Sequence, residues 1–354
     1  MLRRGIFWLL LLVLLVGGGI YFWQRHTAET GGEAGPNGNA VEGVDKEGTG
    51  SNDETENPGD EKGKNSAVVP EEPELPGAVL AMVDNMKNAR PQSGLNQADL
   101  VYEIIAEGGI TRFMALFYRQ QVEEIGPIRS ARNYFVKLAH GYDAPLAHAG
   151  GSGEALNLIA TLKAKDLDEI YNSGGYFWRD KSRKAPHNLY SSTEKLLTGA
   201  KKRGYQVEPP ELSPIGTSWE GTPFTEPITL DYSVAKYKYK VTWRYDEKDN
   251  RYVREINGKP HLMKNDASIT ADNVVVLVVK TKTYVKDGIP LSDVQIVGSG
   301  EALYYVNGQK MAGTWEKQAN SAPIRFFDGQ KSFMKLKEGN TWVQVIPSWN
   351  SLEE

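Results

Sequence analysis

Apolar residues run without interruption from Ile6 to Trp23 and then almost vanish across Thr27–Ala78. Beyond that point they return as short, spaced segments. Ala78–Val83 is a continuous apolar run suited to a buried strand. Leu100–Ala106 and Arg112–Tyr118 flank Gly108–Gly109 and predict a hairpin, although Leu100–Ala106 also fits a helix. From Ser130 the spacing becomes helical, with Ala131, Phe135, Leu138, Ala139 and Tyr142 recurring along one stripe. Ala144–Ala149 reads as a short strand. Ser152 then caps a helix carrying Leu156, Ile159 and Ala160, and Ser191-Ser192-Thr193-Glu194 opens another. A proline-rich stretch follows, holding Pro209, Pro210, Pro214, Pro223 and Pro227. After it the period is two. Tyr237, Tyr239, Val241, Trp243 and Tyr245 alternate with Lys236, Lys238, Lys240, Thr242 and Arg244, which predicts a strand with one aromatic and one basic face. Asn257–Gly258 and Asn307–Gly308 sit between strand-like runs as hairpin turns. Asn273–Lys280 and Trp342–Ile346 read as buried strands.

These patterns divide the chain into an N-terminal membrane anchor (1–26), an acidic disordered tether (27–78), an α+β or α/β domain (79–206), a connector (207–227) and a β-rich domain (228–349). Eighteen uncharged residues at about 1.5 Å each reach roughly 27 Å, the thickness of a bilayer core. Arg3 and Arg4 precede the run and Arg25 and His26 follow it, which favours a cytoplasmic N-terminus with the globular part outside. A cleaved signal peptide with secretion is the alternative.

Charge sharpens this division. Thr27–Ala78 carries 13 acids and three lysines, a net of −10, and no aromatic residue. Such a composition cannot offset the entropy of ordering. The whole chain is −4; removing −10 for this segment and +3 for Arg3, Arg4 and Arg25 leaves +3 for Val79–Glu354. That is too weak a positive charge for a nucleic-acid footprint. The chain has no cysteine, which excludes thiolate chemistry and cysteine zinc sites, and its five histidines show no metal-binding spacing. Neither metal nor cofactor is expected.

Candidate chemistry concentrates before the connector. Arg129 and Arg132 lie three apart at the expected start of a helix, on one face. Gly150, Gly151 and Ser152 form a strand-to-helix turn whose free amides suit an anion. His148 ends the preceding strand, where α/β sheets place ligands. Asp84, Asn85, Arg90, Arg112, Arg179, His187 and Asn188 lie in neighbouring polar segments. The expected site takes a carboxylate or phosphate, with arginine supplying paired contacts. Glu154 and His148 are the catalytic candidates for acid–base work, with Glu107 and Glu103 as further carboxylates. Each feature also has a structural explanation: Ser152 as a helix cap, Glu154 as a favourable first-turn acid, His148 as a core histidine.

The segments MVDNMKNARPQSGLNQADLVYEIIAEGGITRFMALF, GPIRSARNYF, HAGGSGEAL and FWRD…APHNLYSS together resemble the YerB-like family of Gram-positive envelope proteins. The resemblance runs from about Leu75 to Ser192 and continues more loosely, through WRYDEKDNRYVREINGKPH and GSGEALYYVNGQKMAGTWEK, to about Pro347. It implies a secreted, usually lipid-anchored protein with an α/β-type domain before a β-rich one. This chain lacks the lipid-bearing cysteine, a role that the apolar N-terminal run would fill. The resemblance supplies no catalytic residues. The expected function is a membrane-anchored, extracytoplasmic binding protein of the cell envelope, with cell-wall polymer or wall-synthesis membrane proteins as partners. A peptidoglycan-remodelling enzyme using Glu154 and His148 is the second reading, and a ligand-free scaffold the third.

Overall fold

The computed structural model describes residues 77–354 except 173, 235, 236 and 287. The expected anchor at Ile6–Trp23 and the acidic tether lie outside the described residues, apart from Gly77 and Ala78. No helix among the described residues is long and apolar enough to cross a membrane.

Strand β1 (Val79–Asp84) is buried along its whole length because it lies inside a sheet covered on both faces. β2 (Leu100–Glu107) and β3 (Ile110–Phe117) form the hairpin expected around Gly108–Gly109. The helical alternative for Leu100–Ala106 is therefore wrong: the β-branched run pairs in register, Leu100 with Leu116 and Tyr102 with Met114. Helix α1 (Asn133–Gly141), strand β4 (Leu146–His148), helix α2 (Gly153–Leu162), strand β5 (Asp166–Asp168) and helix α3 (Thr193–Lys202) follow. Ser152 and Ser192 cap α2 and α3, accepting hydrogen bonds from the amides of Ala155 and Lys195.

The later part is almost all strand: β6 (Ile228–Asp231), β7 (Lys240–Asp246), β8 (Arg251–Ile256), β9 (Asn273–Val278), β10 (Thr281–Lys286), β11 (Ile289–Val294), β12 (Gly298–Val306), β13 (Gln309–Lys317), β14 (Arg325–Asp328) and β15 (Thr341–Ile346). Both Asn–Gly turns are present, with Asn257 and Gly258 at φ 50° and 71° and Asn307 and Gly308 at 54° and 68°.

One sheet joins the two parts. Its order is β14-β13-β12-β9-β15-β2-β3-β1-β4-β5. The join is β15, parallel to β9 on one side and to β2 on the other, so that Val343 pairs with both Val275 and Tyr102. Helices α1 and α2 cover one face through Phe135, Leu138, Ala155 and Ile159. The other face takes α3 and a second sheet built on β8-β7-β6. There Trp243 meets Trp342 edge-on at 5.3 Å, and Phe113 meets the same Trp342 at 5.3 Å.

Candidate functional site

Strands β1, β4 and β5 are parallel and end together in Asp84, His148 and Asp168. Loops leaving this edge of a parallel sheet are where ligands bind. Asp84, only 1% exposed, is the centre. Its Oδ2 accepts a 2.7 Å hydrogen bond from His187 Nδ1 and lies 3.2 Å from Arg129 Nε, while Oδ1 accepts from the Met86 amide. Across the ladder Asp84 faces Arg112 directly. Arg112 Nη1 donates to the Ser130 carbonyl at 2.6 Å and Nη2 to Glu107 at 3.1 Å. Arg132 pairs with the other oxygen of Glu107. Three guanidiniums thus meet two carboxylates, an excess of one positive charge before His187 is counted.

Desolvation lowers the pKa of all three arginines, and Arg112 adds to the effect on Arg129 while Asp84 opposes it. They remain charged at any physiological pH. The strain is electrostatic: cations withdrawn from water with incomplete compensation. Arg129 is the least compensated. Its buried Nε makes no hydrogen bond, and Asp84 is its only salt-bridge partner among the described residues.

Several expectations need correction. Arg129 and Arg132 do not share a helix face. The chain at Arg129 is held extended, its amide bonded to the Met82 carbonyl, and Arg132 is the residue before α1. The two arginines still converge, through a loop. The glycine turn does not offer the expected amide cradle: the Gly150 amide donates to Asp168 Oδ1 at 2.7 Å and the Ser152 amide to the Ala131 carbonyl at 3.3 Å. His148 is fully buried, with Nδ1 at 2.9 Å from the Gly150 carbonyl and Asp166 and Asp168 near its ring. It has no path to a substrate in this arrangement. Gly151 bridges Ala131 and serves the packing of the turn.

Glu154 is exposed at the first turn of α2 and lines a cleft of about 190 Å³ with Glu107, Arg132, Ser152 and Tyr284. Arg179 lies further out, bonded to Asn188 and Glu169. Asn188 also closes its own loop onto the carbonyls of Asp180 and Arg183. Asn85 and Arg90 turn away from the cluster: Arg90 donates to Asn85, and Asn85 to Thr111 and Tyr239. The structure therefore brings together Asp84, Arg112, Arg129, Arg132 and His187, with Glu154 and Ser152 at one margin and Arg179 and Asn188 at another.

Two family models match the chain: the N-terminal domain of the protein of unknown function DUF3048 over residues 66–206, and its C-terminal domain over 228–343. The Bacillus subtilis protein named "Putative lipoprotein YerB" is 31% identical over 280 residues, 76% of this chain and 81% of that one. The chain belongs to the DUF3048 family. The crystal structure of YerB protein from Bacillus subtilis superposes with a TM-score of 0.71 at 29% identity, covering 79% of this chain and 93% of that one.

The arginine cluster falls wholly in the N-terminal DUF3048 segment. A second polar group, of which the sequence marks only Glu103, crosses both segments. Glu103 and Arg254, each fully buried, are paired at 2.6 Å. Arg254 lies against the ring faces of Phe113, Trp243 and Trp342. Tyr239 and Thr111 both donate to Glu103 at 2.7 Å. Arginine can only donate, so His261 Nδ1 accepts from Arg254, and His261 Nε2 carries the proton donated to Gln92 Oε1 at 2.9 Å. Gln92 Nε2 then donates to the Asp84 carbonyl at 3.0 Å. This chain of bonds holds Asp84 from behind, and it joins the two DUF3048 segments. Sequence spacing gives no sign of it, because its members are separated by most of the fold.

Proposed function

We propose that this protein works outside the cytoplasmic membrane, at the cell envelope, and binds an anionic wall-derived ligand through the cluster around Asp84. The location is supported by the relative whose name describes a lipoprotein, and by the apolar N-terminal run that would stand in for a lipid. The ligand class is supported by one observation above others: Arg129 is partly buried, desolvated and without a hydrogen bond at Nε, beside Arg112 and His187. A carboxylate or phosphate there would restore the compensation that Asp84 and Glu107 leave incomplete. Ile170, which lies against Gly150, and Tyr171 are 58% and 72% exposed just beyond β5.

Calorimetric titration of the full-length protein in detergent with soluble, carboxylate- and phosphate-bearing wall fragments tests the reading. Loss of one charge-assisted contact is worth about 1.5–3 kcal/mol, so Arg129→Ala is expected to weaken binding roughly 10- to 100-fold. Equal affinity in the two proteins would remove Arg129 from the site. The hydrolytic alternative rests on Glu107 and Glu154 sharing one cleft. Glu107 is already committed to Arg112 and Arg132, which leaves Glu154 as the acid. Wall digests analysed beside a Glu154→Gln variant decide it: unchanged products exclude Glu154.

A further inference from the structure

A second cleft, of about 770 Å³, opens where residues 87–91 meet the second sheet. Its walls come from both DUF3048 segments: Lys87, Arg90 and Pro91 on one side, Tyr237, Lys238 and Lys259 on the other. The Lys264 amide, bonded to the Gln92 carbonyl at 2.8 Å, fixes the two walls together. None of the Asp84, Arg112, Arg129, Arg132 or His187 side chains lines it.

Four cations, Lys87, Arg90, Lys238 and Lys259, face a single carboxylate, Asp266, a net of +3. Neighbouring lysines are neutralised by partners, Lys240 by Glu353 and Lys264 by Glu124. These four have no ion pair among the described residues. Lys87, Lys238 and Lys259 are exposed, whereas Arg90 is fixed over the Tyr239 ring and by two bonds to Asn85. Between the charges lie flat, weakly polar surfaces: Tyr237, stacked on Tyr239 with 24° between the rings, and the rings of Pro91 and Pro260. Like charges are retained along an open, partly apolar cleft.

We propose that this cleft binds a phosphodiester polymer with sugar or polyol repeats. Three of the four cations are lysines, point charges that suit phosphates spaced along a flexible chain; bidentate carboxylate recognition favours arginine. An acidic peptide would also seek main-chain pairing. The nearest sheet edge, Lys259–Pro260, carries a proline and so lacks one of the amides that strand addition needs. The tyrosine and proline faces suit the C–H faces of a sugar or polyol.

The test uses full-length protein in detergent and a synthetic poly(glycerol phosphate) oligomer, with binding followed by tryptophan fluorescence. Affinity is expected to fall steeply between about 50 mM and about 200 mM salt, as for other polyanion contacts. The Lys238→Glu/Lys259→Glu double variant should raise the Kd at least tenfold, with Lys87→Glu in the same direction and an unchanged melting temperature showing that each is folded. The Lys238→Glu/Lys259→Glu variant should keep the parent's affinity for a fragment whose only charges are carboxylates, which separates this cleft from the cluster around Asp84. An absence of binding at low salt, or equal affinity in the charge-reversal variants, would overturn the proposal. So would tighter binding of an oligoglutamate of equal charge, which would make the cleft a peptide site.

Discussion

His261 shows how a single residue in this protein is set by its neighbours. Burial first, then Arg254 and Arg90, push its pKa well below the usual imidazole value. Protonation would place an N–H on Nδ1 facing a guanidinium that already donates there. In the unfolded chain the ring titrates near 6.5. Below that value the unfolded state holds the extra proton and the folded state does not, so stability is complete above about pH 6.5 and declines as the pH falls through the window beneath it. Chemical denaturation between pH 7.5 and about pH 5 should show this decline. His261→Gln, which keeps an acceptor for Arg254 and a donor for Gln92, should flatten it; an identical slope in both proteins would show that other groups dominate. The residue scale is also where the sequence was least legible. Asp84, Arg112 and His187 stand out in the sequence only as members of polar segments, and Arg129 through a helical spacing that it does not adopt, yet the four meet. Glu103 was marked only as a possible acid and is instead Arg254's buried partner, 151 positions away. Nothing local distinguishes an arginine that will be enclosed by three aromatic rings from one on a surface.

Elements were far more legible, because caps and turns are local chemistry. Ser152 and Ser192 begin helices, and the two Asn–Gly pairs make turns, through contacts within a few residues of themselves. The failure at Arg129 is instructive: Gly126–Pro127 and the contact with β1 hold the backbone extended, so the helix starts only at Asn133. The turns also give a paired prediction. Gly258 and Gly308 both have positive φ, so alanine strains each by about 1 kcal/mol. A Cβ at Gly258 meets open space, but at Gly308 it would lie 2.7 Å from the Tyr245 ring. Gly308→Ala should therefore lower the denaturation midpoint more than Gly258→Ala, and equal shifts would mean that Tyr245 yields freely.

For the whole molecule, the pairing of β15 with β2 and β9 makes the two DUF3048 segments share one sheet and, at Glu103–Arg254, one buried ion pair. They should therefore melt together. Calorimetry of the full-length protein should show one transition for both segments, and residues 77–206 or 207–354 expressed alone should lack cooperative unfolding. Two separated transitions, or either piece folding by itself, would contradict this. The sequence showed two stretches of different character and a proline-rich stretch between them. It did not show the shared sheet, since strand pairing across the chain leaves no periodic mark on either strand.

The central place of β15 also sets a timetable. Leu100 finds its partner Thr341 only after 241 further positions have left the ribosome. Until then β2 has an open edge, and an unpaired edge invites pairing with other chains. Newborn copies of this protein thus pass through a long interval as an unfinished template. A translation product halted before Thr341 would never leave that state, whatever the condition of its binding residues.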